Sequence, residues 1–427
     1  MDIASLYEKF KASGSVTTDT RKIIPGSIFF ALKGERFDGN EFAEQALKQG
    51  AALAVIDDAR FQHFPNTVLV PDVLTALQDL ARHHRSLLNI PVIGLTGSNG
   101  KTTSKELVNA VLSKKFRTLA TTGNLNNHIG VPLTILSIRP ETEVAIIEMG
   151  ANHVGEIALL SSIAQPTHGF ITNIGKAHIG TFGGFENIIR GKTELYQHLI
   201  QHDGKVFINS ANPIFEPMIR RFNEPVLYPR AGDFIHVEIV PEENGLFVKA
   251  DGGRPIRSNL TGSYNFENIA VALCIGKYFG VAPEDAAQAV EEYVPSNMRS
   301  QLIKSGTNTI ILDAYNANPS SMEAAVLNLR SMPSSSRVAI VGDMYELGED
   351  AEQEHLNIGK LLNDDSFSQV FLCGSLMSKA KQACPKAIDF PNRESLLNYL
   401  KEHPISYSTI LIKASRGMGL EKLMEAF

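Results

Sequence analysis

The sequence lacks an excess of positive charge, because its 46 acidic residues outnumber its 40 basic residues and give a net charge of −6. Proteins that bind nucleic acid through their overall charge are basic. We therefore expect no nucleic-acid partner, and any polyanionic ligand would have to be met by local basic groups.

Cysteine is scarce, with three residues at Cys274, Cys373 and Cys384 that form no C-x-x-C pair. An odd, widely spaced set argues against both a disulfide framework and a zinc site, and is typical of buried thiols in a reducing compartment.

Long apolar runs are also missing, and none approaches the roughly 20 residues that a membrane span requires. Residues 1–14 carry charges where a signal peptide needs an apolar stretch. We therefore expect no membrane span and a cytoplasmic location.

The composition that remains, 43% hydrophobic and 20% charged residues, is that of a globular protein. A chain of 427 residues is too long for one ordinary core, so several domains are expected. We predict a small N-terminal α/β domain over residues 1–85, with apolar stretches at 27–32 and 53–56. A helix over 72–88 would lead into the next domain.

The central region, 86–297, is predicted to contain a parallel-sheet domain. Its short apolar segments are typical of buried parallel strands, and they lie at 91–97, 143–150, 168–175 and 204–210. A helix is predicted over 263–280, ending at Gly280.

The last region, 298–427, alternates strands with helices, which predicts a second, smaller parallel sheet of Rossmann-like type. The predicted strands are 309–315, 337–343, 369–374 and 408–415, and the predicted helical segments are 320–331, 352–362, 393–402 and 418–427. The first strand carries no G-x-G-x-x-G, so this fold does not imply dinucleotide binding.

A glycine-rich segment, GLTGSNGKTT over 94–103, lies between a predicted strand and a predicted helix. Glycines in this context let backbone N–H groups converge on phosphate oxygens. Lys101 would reach the β and γ phosphates and Thr102 would hold Mg²⁺, although Leu95 stands where the usual motif has its first glycine. The alternative is a chance glycine turn capped by threonine; we favour ATP binding.

Two polar residues follow predicted strands of the same domain. Glu148 ends an otherwise apolar strand, and His178 comes shortly after the next one. Ligands of parallel sheets bind beyond the carboxyl ends of strands, so both residues are candidates for a divalent ion beside the nucleotide. Taken singly, each could instead be a surface or capping group.

Lys192 occupies an apolar stripe that runs through Ile188, Leu195 and Leu199 of a predicted helix. A lysine there commonly extends its amine to solvent. The alternative is a buried amine of lowered pKa that faces the metal site and reacts with CO₂ to give an anionic carbamate.

These motifs together resemble the Mur ligase family. TGSNGKTT is similar to the family's ATP loop, Glu148 in EMGA and His178 in NIGKAHIG match its magnesium positions, and Lys192 in GKTELY matches its carbamylated lysine. The resemblance implies catalytic roles for Lys101, Glu148, His178, Lys192 and Arg299, and a metal site of Thr102, Glu148, His178 and the Lys192 carbamate. It implies ATP contacts from Gly97, Ser98, Asn99, Gly100, Lys101, Thr102, Thr103, Asn265, Asn268, Arg299 and Asp313.

Further similar segments are 16–43, 123–136, 314–322, 341–348 and 411–421. They imply a uridine-nucleotide site at Thr18, Asp19, Thr20, Arg21, Lys33, Gly34, Asn126 and Asn127. They also imply substrate positioning by Asn316, Asn318, Lys413, Ser415 and Arg416. Without the resemblance, Asn316 and Asn318 would be interpreted as turn formers, and Arg21 and Lys33 as surface charges.

The resemblance implies an ATP- and Mg²⁺-dependent ligase that adds D-alanyl-D-alanine to UDP-N-acetylmuramoyl-tripeptide through an acyl-phosphate, in peptidoglycan synthesis. It further implies a monomer whose C-terminal domain closes about a hinge at 295–300. Two alternatives stay open: another Mur-type or folylpolyglutamate-type amide ligase, and a P-loop NTPase switch without ligase activity. The absence of an Asp-Asn-Pro-Arg motif and the 90 or so residues before the ATP loop weigh against the first.

Overall fold

The structure, a computed structural model, describes residues 2–242 and 245–427. Three mixed α/β regions follow one another along the chain, which confirms the predicted fold class. None of the helices in these ranges is both long and apolar enough to cross a membrane.

The N-terminal region contains a four-stranded parallel sheet of order β1-β2-β5-β6 and a small antiparallel hairpin, β3-β4. The strands are β1 (Val16–Thr17), β2 (Ile28–Phe30), β3 (Lys33–Gly34), β4 (Phe37–Asp38), β5 (Leu53–Ile56) and β6 (Thr67–Leu69), and the helices are α1 (Ile3–Ser13), α2 (Ala43–Lys48) and α3 (Val73–Ser86). Helix α3 starts where Asp72 accepts a hydrogen bond from Thr75 N, as an N-cap should.

The central region is built on a six-stranded parallel sheet of order β12-β11-β10-β7-β9-β8. Its strands are β7 (Val92–Thr96), β8 (Thr118–Ala120), β9 (Val144–Glu148), β10 (His168–Ile171), β11 (Lys205–Asn209) and β12 (Val226–Tyr228). The four predicted strands are confirmed, and their apolar residues are buried because helices cover both faces of the sheet.

The helices of this region are α4 (Lys101–Leu112), α5 (Gly130–Leu136), α6 (Glu156–Ala164), α7 (Ile179–Phe182), α8 (Phe185–Gln201), α9 (Glu216–Ile219), α10 (Phe266–Tyr278) and α11 (Pro283–Glu292). A three-stranded antiparallel sheet was not predicted: β13 (Val237–Val240), β14 (Leu246–Ala250) and β15 (Ile256–Ser258). The buried residues of β14 and β15 are separated by less buried ones, and none of the three strands has the continuous buried run of β7 or β9.

The C-terminal region has a sheet of order β16-β17-β21-β18-β19-β20. The predicted parallel sheet is confirmed over β17, β21, β18, β19 and β20. The sheet is not smaller than the central one, because it also has six strands, and β16 joins it antiparallel to β17. The strands are β16 (Gln301–Ser305), β17 (Asn308–Asp313), β18 (Arg337–Gly342), β19 (Gln369–Cys373), β20 (Ile388–Phe390) and β21 (Thr409–Lys413), and the helices are α12 (Pro319–Ser331), α13 (Ala351–Leu362) and α14 (Arg393–Glu402). The predicted last helix consists of 3₁₀ turns over Arg416–Met418 and Leu420–Ala426.

The buried apolar residues show how these regions join. One cluster extends from the N-terminal sheet through α3 to one face of the central sheet, and a second covers the other face. The C-terminal region has two clusters of its own. The junction between the central and C-terminal regions therefore has little apolar packing.

Candidate functional site

A cleft of about 630 Å³ lies at this junction. It is lined by residues that follow β7, β9 and β10 on the central side and by residues at the ends of β17 and β21 on the C-terminal side. Both sets lie at the carboxyl ends of parallel strands, where α/β sheets bind their ligands.

The glycine-rich segment connects β7 to α4, as predicted. Gly97 has φ 146° and a Cβ there would clash with Thr172 Oγ1; Gly100 has φ 77° and a Cβ there would clash with Asn268 Oδ1. Only glycine fits both positions, so the conformation of the loop requires both glycines. Leu95 is a fully buried strand residue, which explains why it can replace the first glycine of the usual motif.

Lys101 folds back over this loop. Its Nζ donates hydrogen bonds to the carbonyl oxygens of Gly97 (2.7 Å) and Ser98 (3.2 Å). Burial lowers the pKa of Lys101 to about 8, opposed by the Glu148 carboxylate and reinforced by the Arg299 guanidinium. The amine thus lies against the carbonyl oxygens of a glycine-rich loop at the N-terminus of α4, and loops in this position are suited to binding phosphate.

Glu148 is only 1% exposed, so its interpretation as a surface group is wrong. Its Oε1 accepts hydrogen bonds from Asn126 Nδ2 (2.8 Å) and Thr102 Oγ1 (3.3 Å). Its Oε2 is buried without a hydrogen-bond partner among the residues that the structure describes. A buried carboxylate oxygen in this state is suited to a cation.

His178 also lines the cleft and has a left-handed backbone with φ 56°. Its Nδ1 is hydrogen-bonded to Glu346 Oε2 of the C-terminal region. Burial lowers the pKa of His178, and the Glu346 carboxylate opposes this shift. The histidine therefore lies near the loop as predicted, and it also joins the two sides of the cleft.

Lys192 is 1% exposed, which excludes the alternative in which its amine extends to solvent. Its Nζ donates to Ala151 O (3.0 Å) and lies 5.2 Å from the Phe182 ring centroid. Burial lowers the pKa of Lys192 well below its ordinary value, and the Lys101 charge acts in the same direction. Lys192 lies behind the cleft wall, adjacent to Ala151, which lines it.

Asn265 and Asn268, which are predicted to contact ATP, hold α4, the helix that follows the phosphate loop. Asn268 Oδ1 accepts from Ser104 Oγ (2.8 Å) on α4, and Asn268 Nδ2 donates to Asn265 Oδ1 (2.9 Å). Asn265 Nδ2 donates to Thr261 O. Both asparagines line the cleft while fixing α4 against α10.

The predicted residues of the C-terminal side form a second polar group. Lys413 Nζ donates to Asp313 Oδ2 (2.7 Å) and Asn316 O (3.0 Å). Asn318 caps α12 through Ser321 N, as a turn former would, and also donates to Asn99 Oδ1 of the phosphate loop (2.7 Å).

Ser415 and Arg416 do not line the cleft. The Ser415 hydroxyl is buried and accepts from Tyr345 N (2.9 Å). Arg416 is exposed, with its guanidinium carbon 5.6 Å from the Tyr315 ring centroid.

The residues predicted to bind the uridine nucleotide lie in two separate parts of the molecule. Asn126 and Asn127 line the cleft, and Asn127 Oδ1 caps its own loop at Ile129 N and Gly130 N. The other six lie in the N-terminal region and outside the cleft lining, and they are Thr18, Asp19, Thr20, Arg21, Lys33 and Gly34. Among them Arg21 pairs with Asp19 at the surface (2.8 Å) and Lys33 with Asp57 (2.8 Å).

Several cleft residues escaped sequence reasoning. Asn173 accepts from Ser98 N through its carbonyl (2.9 Å) and from Asn99 N through its side chain (3.0 Å). The Arg299 guanidinium carbon lies 3.8 Å from the Tyr315 ring centroid. Asn173 follows β10 and Tyr315 follows β17, so the rule that strand ends bind ligands could have identified both.

The described ranges contain no group of three or more His, Cys, Asp and Glu residues placed to hold a metal ion. A magnesium ion would therefore need oxygen ligands from elsewhere, such as the Thr102 hydroxyl, water and nucleotide phosphate.

Three family models match the chain. They are described as "Mur ligase family, catalytic domain" at residues 14–85, "Mur ligase middle domain" at 95–276, and "Mur ligase, glutamate ligase domain" at 298–416. Together the matched ranges span most of the sequence.

The chain is also similar to individual proteins along its whole length. A Bacillus subtilis protein named UDP-N-acetylmuramoyl-tripeptide–D-alanyl-D-alanine ligase is 37% identical, over 98% of this chain and 94% of the relative. A crystal structure of MurF from Acinetobacter baumannii has a TM-score of 0.86 at 32% identity, covering 96% of this chain and 92% of that one. MurF from Thermotoga maritima in complex with ADP has a TM-score of 0.86 at 26% identity, covering 97% of each chain.

Proposed function

The chain belongs to the Mur ligase family of ATP-dependent amide ligases, and on this premise we propose that it adds D-alanyl-D-alanine to UDP-N-acetylmuramoyl-tripeptide in peptidoglycan synthesis. The observation that carries the proposal is the cleft, in which a phosphate loop, a buried carboxylate and basic side chains of two domains converge. The names of full-length relatives supply the substrates.

The first chemical step is phosphoryl transfer to the terminal carboxylate of the tripeptide. A carboxylate oxygen forms a bond to the γ-phosphorus of ATP, the bond to the bridging oxygen breaks, and ADP leaves. Both reactants are anionic, so their approach requires positive charge fixed in advance. Lys101 at the loop and Arg299 on the opposite side line the same cleft and can provide it.

The second step forms the amide. The free amine of D-alanyl-D-alanine attacks the acyl carbon, a tetrahedral intermediate collapses, and phosphate leaves with the acyl C–O bond pair. Water would destroy the acyl-phosphate, so the cleft should be closed during the reaction. We propose closure about residues 295–300, with the central and C-terminal domains divided near residue 297 and the N-terminal and central domains near residue 85.

Magnesium fits the residues present. Glu148 Oε2 is buried and has no partner within the described ranges, and the Thr102 hydroxyl lies 3.3 Å from Glu148 Oε1. We propose Thr102 and Glu148 as protein ligands, with His178 close by. The ion would neutralise phosphate charge when bound.

Lys192 is proposed to carry a carbamate. Burial lowers the pKa of its amine and so favours the neutral form. A neutral amine can add CO₂ to form an N–C bond with loss of a proton. The product is an anion, which the charge of Lys101 would stabilise, whereas the same charge disfavours the protonated form of the unmodified lysine.

Labelled bicarbonate tests the carbamate. The protein equilibrated with ¹³C-bicarbonate should show a carbamate carbon signal by NMR that Lys192→Arg lacks, and the variant should also lose most of its ligase activity. Full activity in Lys192→Arg, or an unchanged signal, would contradict the assignment.

The N-terminal domain is proposed to bind the uridine nucleotide through the six residues around Arg21 and Lys33, with Asn126 and Asn127 reaching toward the rest of the substrate. A cytoplasmic, monomeric enzyme is part of the same proposal. Arg21→Met combined with Lys33→Met should raise KM for the UDP substrate and leave KM for ATP unchanged.

The proposed reaction is tested by phosphate release from ATP. We expect release that depends on both UDP-N-acetylmuramoyl-tripeptide and D-alanyl-D-alanine, with a UDP-pentapeptide product. ATP turnover without a carboxylate acceptor would favour an NTPase switch. No stimulation by tripeptides ending in either diaminopimelate or lysine would exclude the muramoyl substrate.

A further inference from the structure

Glu106 lies on α4, five residues after Lys101, and contacts the segment that joins the central and C-terminal domains. Its Oε2 accepts a hydrogen bond from the Tyr293 hydroxyl (2.6 Å). Both carboxylate oxygens accept from Asn297 Nδ2, each at 3.0 Å. One carboxylate thus connects α4 to the end of α11 and to the start of the segment that joins the central and C-terminal domains, which we call the linker.

The linker beyond Asn297 has an unusual backbone. Met298 and Ser300 have φ values of 58° and 49°, a left-handed conformation that non-glycine residues keep only when their surroundings hold them. Ser300 is held by Tyr264 OH (2.8 Å) and by Asp313 Oδ1, which accepts from its N–H (3.2 Å). Met298 O accepts from Tyr315 N (3.2 Å). Both domains therefore fix this segment.

Arg299 lies between these two residues and lines the cleft. Its guanidinium stacks on Tyr315, and its Nε is buried without a hydrogen-bond partner among the described residues. The linker backbone and the Tyr315 ring therefore set the direction of this side chain.

We propose that Glu106 is a positioning residue for the reaction: by holding Asn297 it fixes the linker so that Arg299 reaches the phosphates of ATP. The inference rests on the proposed function, which assigns Arg299 to the nucleotide. A carboxylate suits this role because Tyr293 and Asn297 both donate, and an ionised carboxylate only accepts. In Glu106→Gln an amide NH₂ would face one of the two donors.

The test is a double-mutant cycle in the full chain. Affinity for Mg·ATP is measured by calorimetry, and kcat and KM in the ligation assay, for Glu106→Gln, Arg299→Met and the double variant. Glu106→Gln should weaken ATP binding on the order of tenfold, as expected when one buried donor loses its partner. If Glu106 acts through Arg299, the double variant should bind ATP no more weakly than Arg299→Met alone.

Lys114→Met is the matched control. Lys114 lies just beyond α4 and bonds Glu292 at the end of α11 (2.7 Å), so it joins the same two elements without touching the linker. The ATP affinity of Lys114→Met should stay within about twofold of that of the parent, because substitutions at independent sites affect each other no more than this. If Glu106→Gln reduces the folded fraction, Asn297→Ala with Arg299→Met repeats the cycle with the same expectation.

The inference would be overturned if the losses of ATP affinity in the two single variants multiplied in the double variant. It would also be overturned if the ATP affinity of Glu106→Gln stayed within about twofold of that of the parent. A failure of the proposed function would look different. The parent would then bind ATP, and the cycle could be measured, but phosphate release would not respond to the tripeptide.

Discussion

The junction between the N-terminal and central domains and the junction between the central and C-terminal domains are built in opposite ways. At the first, one apolar cluster runs through both domains without interruption, and α3 packs against α1 on one side and α5 and α6 on the other. Polar groups of α3 also donate hydrogen bonds to carbonyl oxygens of the central domain. Gln78 Nε2, for example, donates to His128 O (3.0 Å).

At the second junction the contacts are mostly polar. Lys176 pairs with Glu354 (2.7 Å), His178 bonds Glu346, and Asn318 bonds Asn99. Among the residues described, Ile179 is the apolar side chain that packs on clusters of both domains.

This difference indicates which of the two junctions can open. Apolar burial is lost when a junction opens, whereas polar contacts can be exchanged for water at little net cost. The first two domains should therefore behave as one body, and the third should move relative to it. The cleft lies at the junction that can open.

The largest expected effect comes from the shared core. Leu77→Ala in α3 removes a fully buried side chain and should lower the free energy of unfolding by about 2–5 kcal/mol. In calorimetry one transition should contain both the N-terminal and central domains and shift as a whole.

Leu400→Ala, in the core of the C-terminal domain, is the control and should shift a separate transition. If Leu77→Ala instead shifted an N-terminal transition alone, the two domains would not form one body.

A smaller effect is expected from Arg85, which is 5% exposed. Its guanidinium donates to Ala164 O and Gln165 O (3.0 Å each) in the central domain. Arg85→Met leaves these carbonyls unpaired and should cost about 1–3 kcal/mol by chemical denaturation. Arg82, on the same helix, is more exposed, and its bond to the central domain is a longer contact with Ser162 Oγ (3.3 Å). Arg82→Met should therefore cost less than about 0.5 kcal/mol. Equal losses of stability in the two variants would mean that the Arg85 hydrogen bonds do not stabilise the junction between the domains.

Much of this architecture follows from local sequence. The parallel strands are continuous apolar runs, and the phosphate loop needs only the spacing of its glycines and lysine, so both could be predicted. Glu148 was identifiable because a carboxylate ends an apolar strand.

The contacts across the second junction could not be predicted in this way. His178 and Glu346, or Asn99 and Asn318, are far apart in the chain and meet only after two domains dock. Periodicity carries no information on such docking. The burial of Lys192 illustrates the same limit, because its helix position indicated the apolar stripe but not whether the amine reached solvent.

A pH effect should appear at the first junction. His84 lies between Tyr7 OH and Ile138 O (3.2 Å each), and burial lowers its pKa from the ordinary 6.5. As pH falls below 6.5 the unfolded chain binds a proton before the folded chain does, so stability should decline, with a slope of at most about 1.4 kcal/mol per pH unit. His84→Gln should flatten this part of the stability curve, and parallel curves for parent and variant would contradict the assignment.

The smallest effect on stability is expected at the second junction. Lys176→Met removes a partly exposed ion pair with Glu354 and should change the free energy of unfolding by less than about 0.5 kcal/mol. Because the pair joins the two domains, the variant should change KM for ATP and the solution scattering profile instead. A large loss of stability with unchanged scattering would mean that this junction is as rigid as the first.

The C-terminal domain is expected to move relative to the N-terminal and central domains, which stay fixed to each other. Spin labels at Glu8→Cys, Ser113→Cys and Lys401→Cys report on it by pulsed electron resonance, since all three positions are exposed and the natural cysteines are buried. With ATP and UDP-N-acetylmuramoyl-tripeptide, the 113–401 distance should change while the 8–113 distance stays constant. A change between 8 and 113, or none between 113 and 401, would contradict the claim.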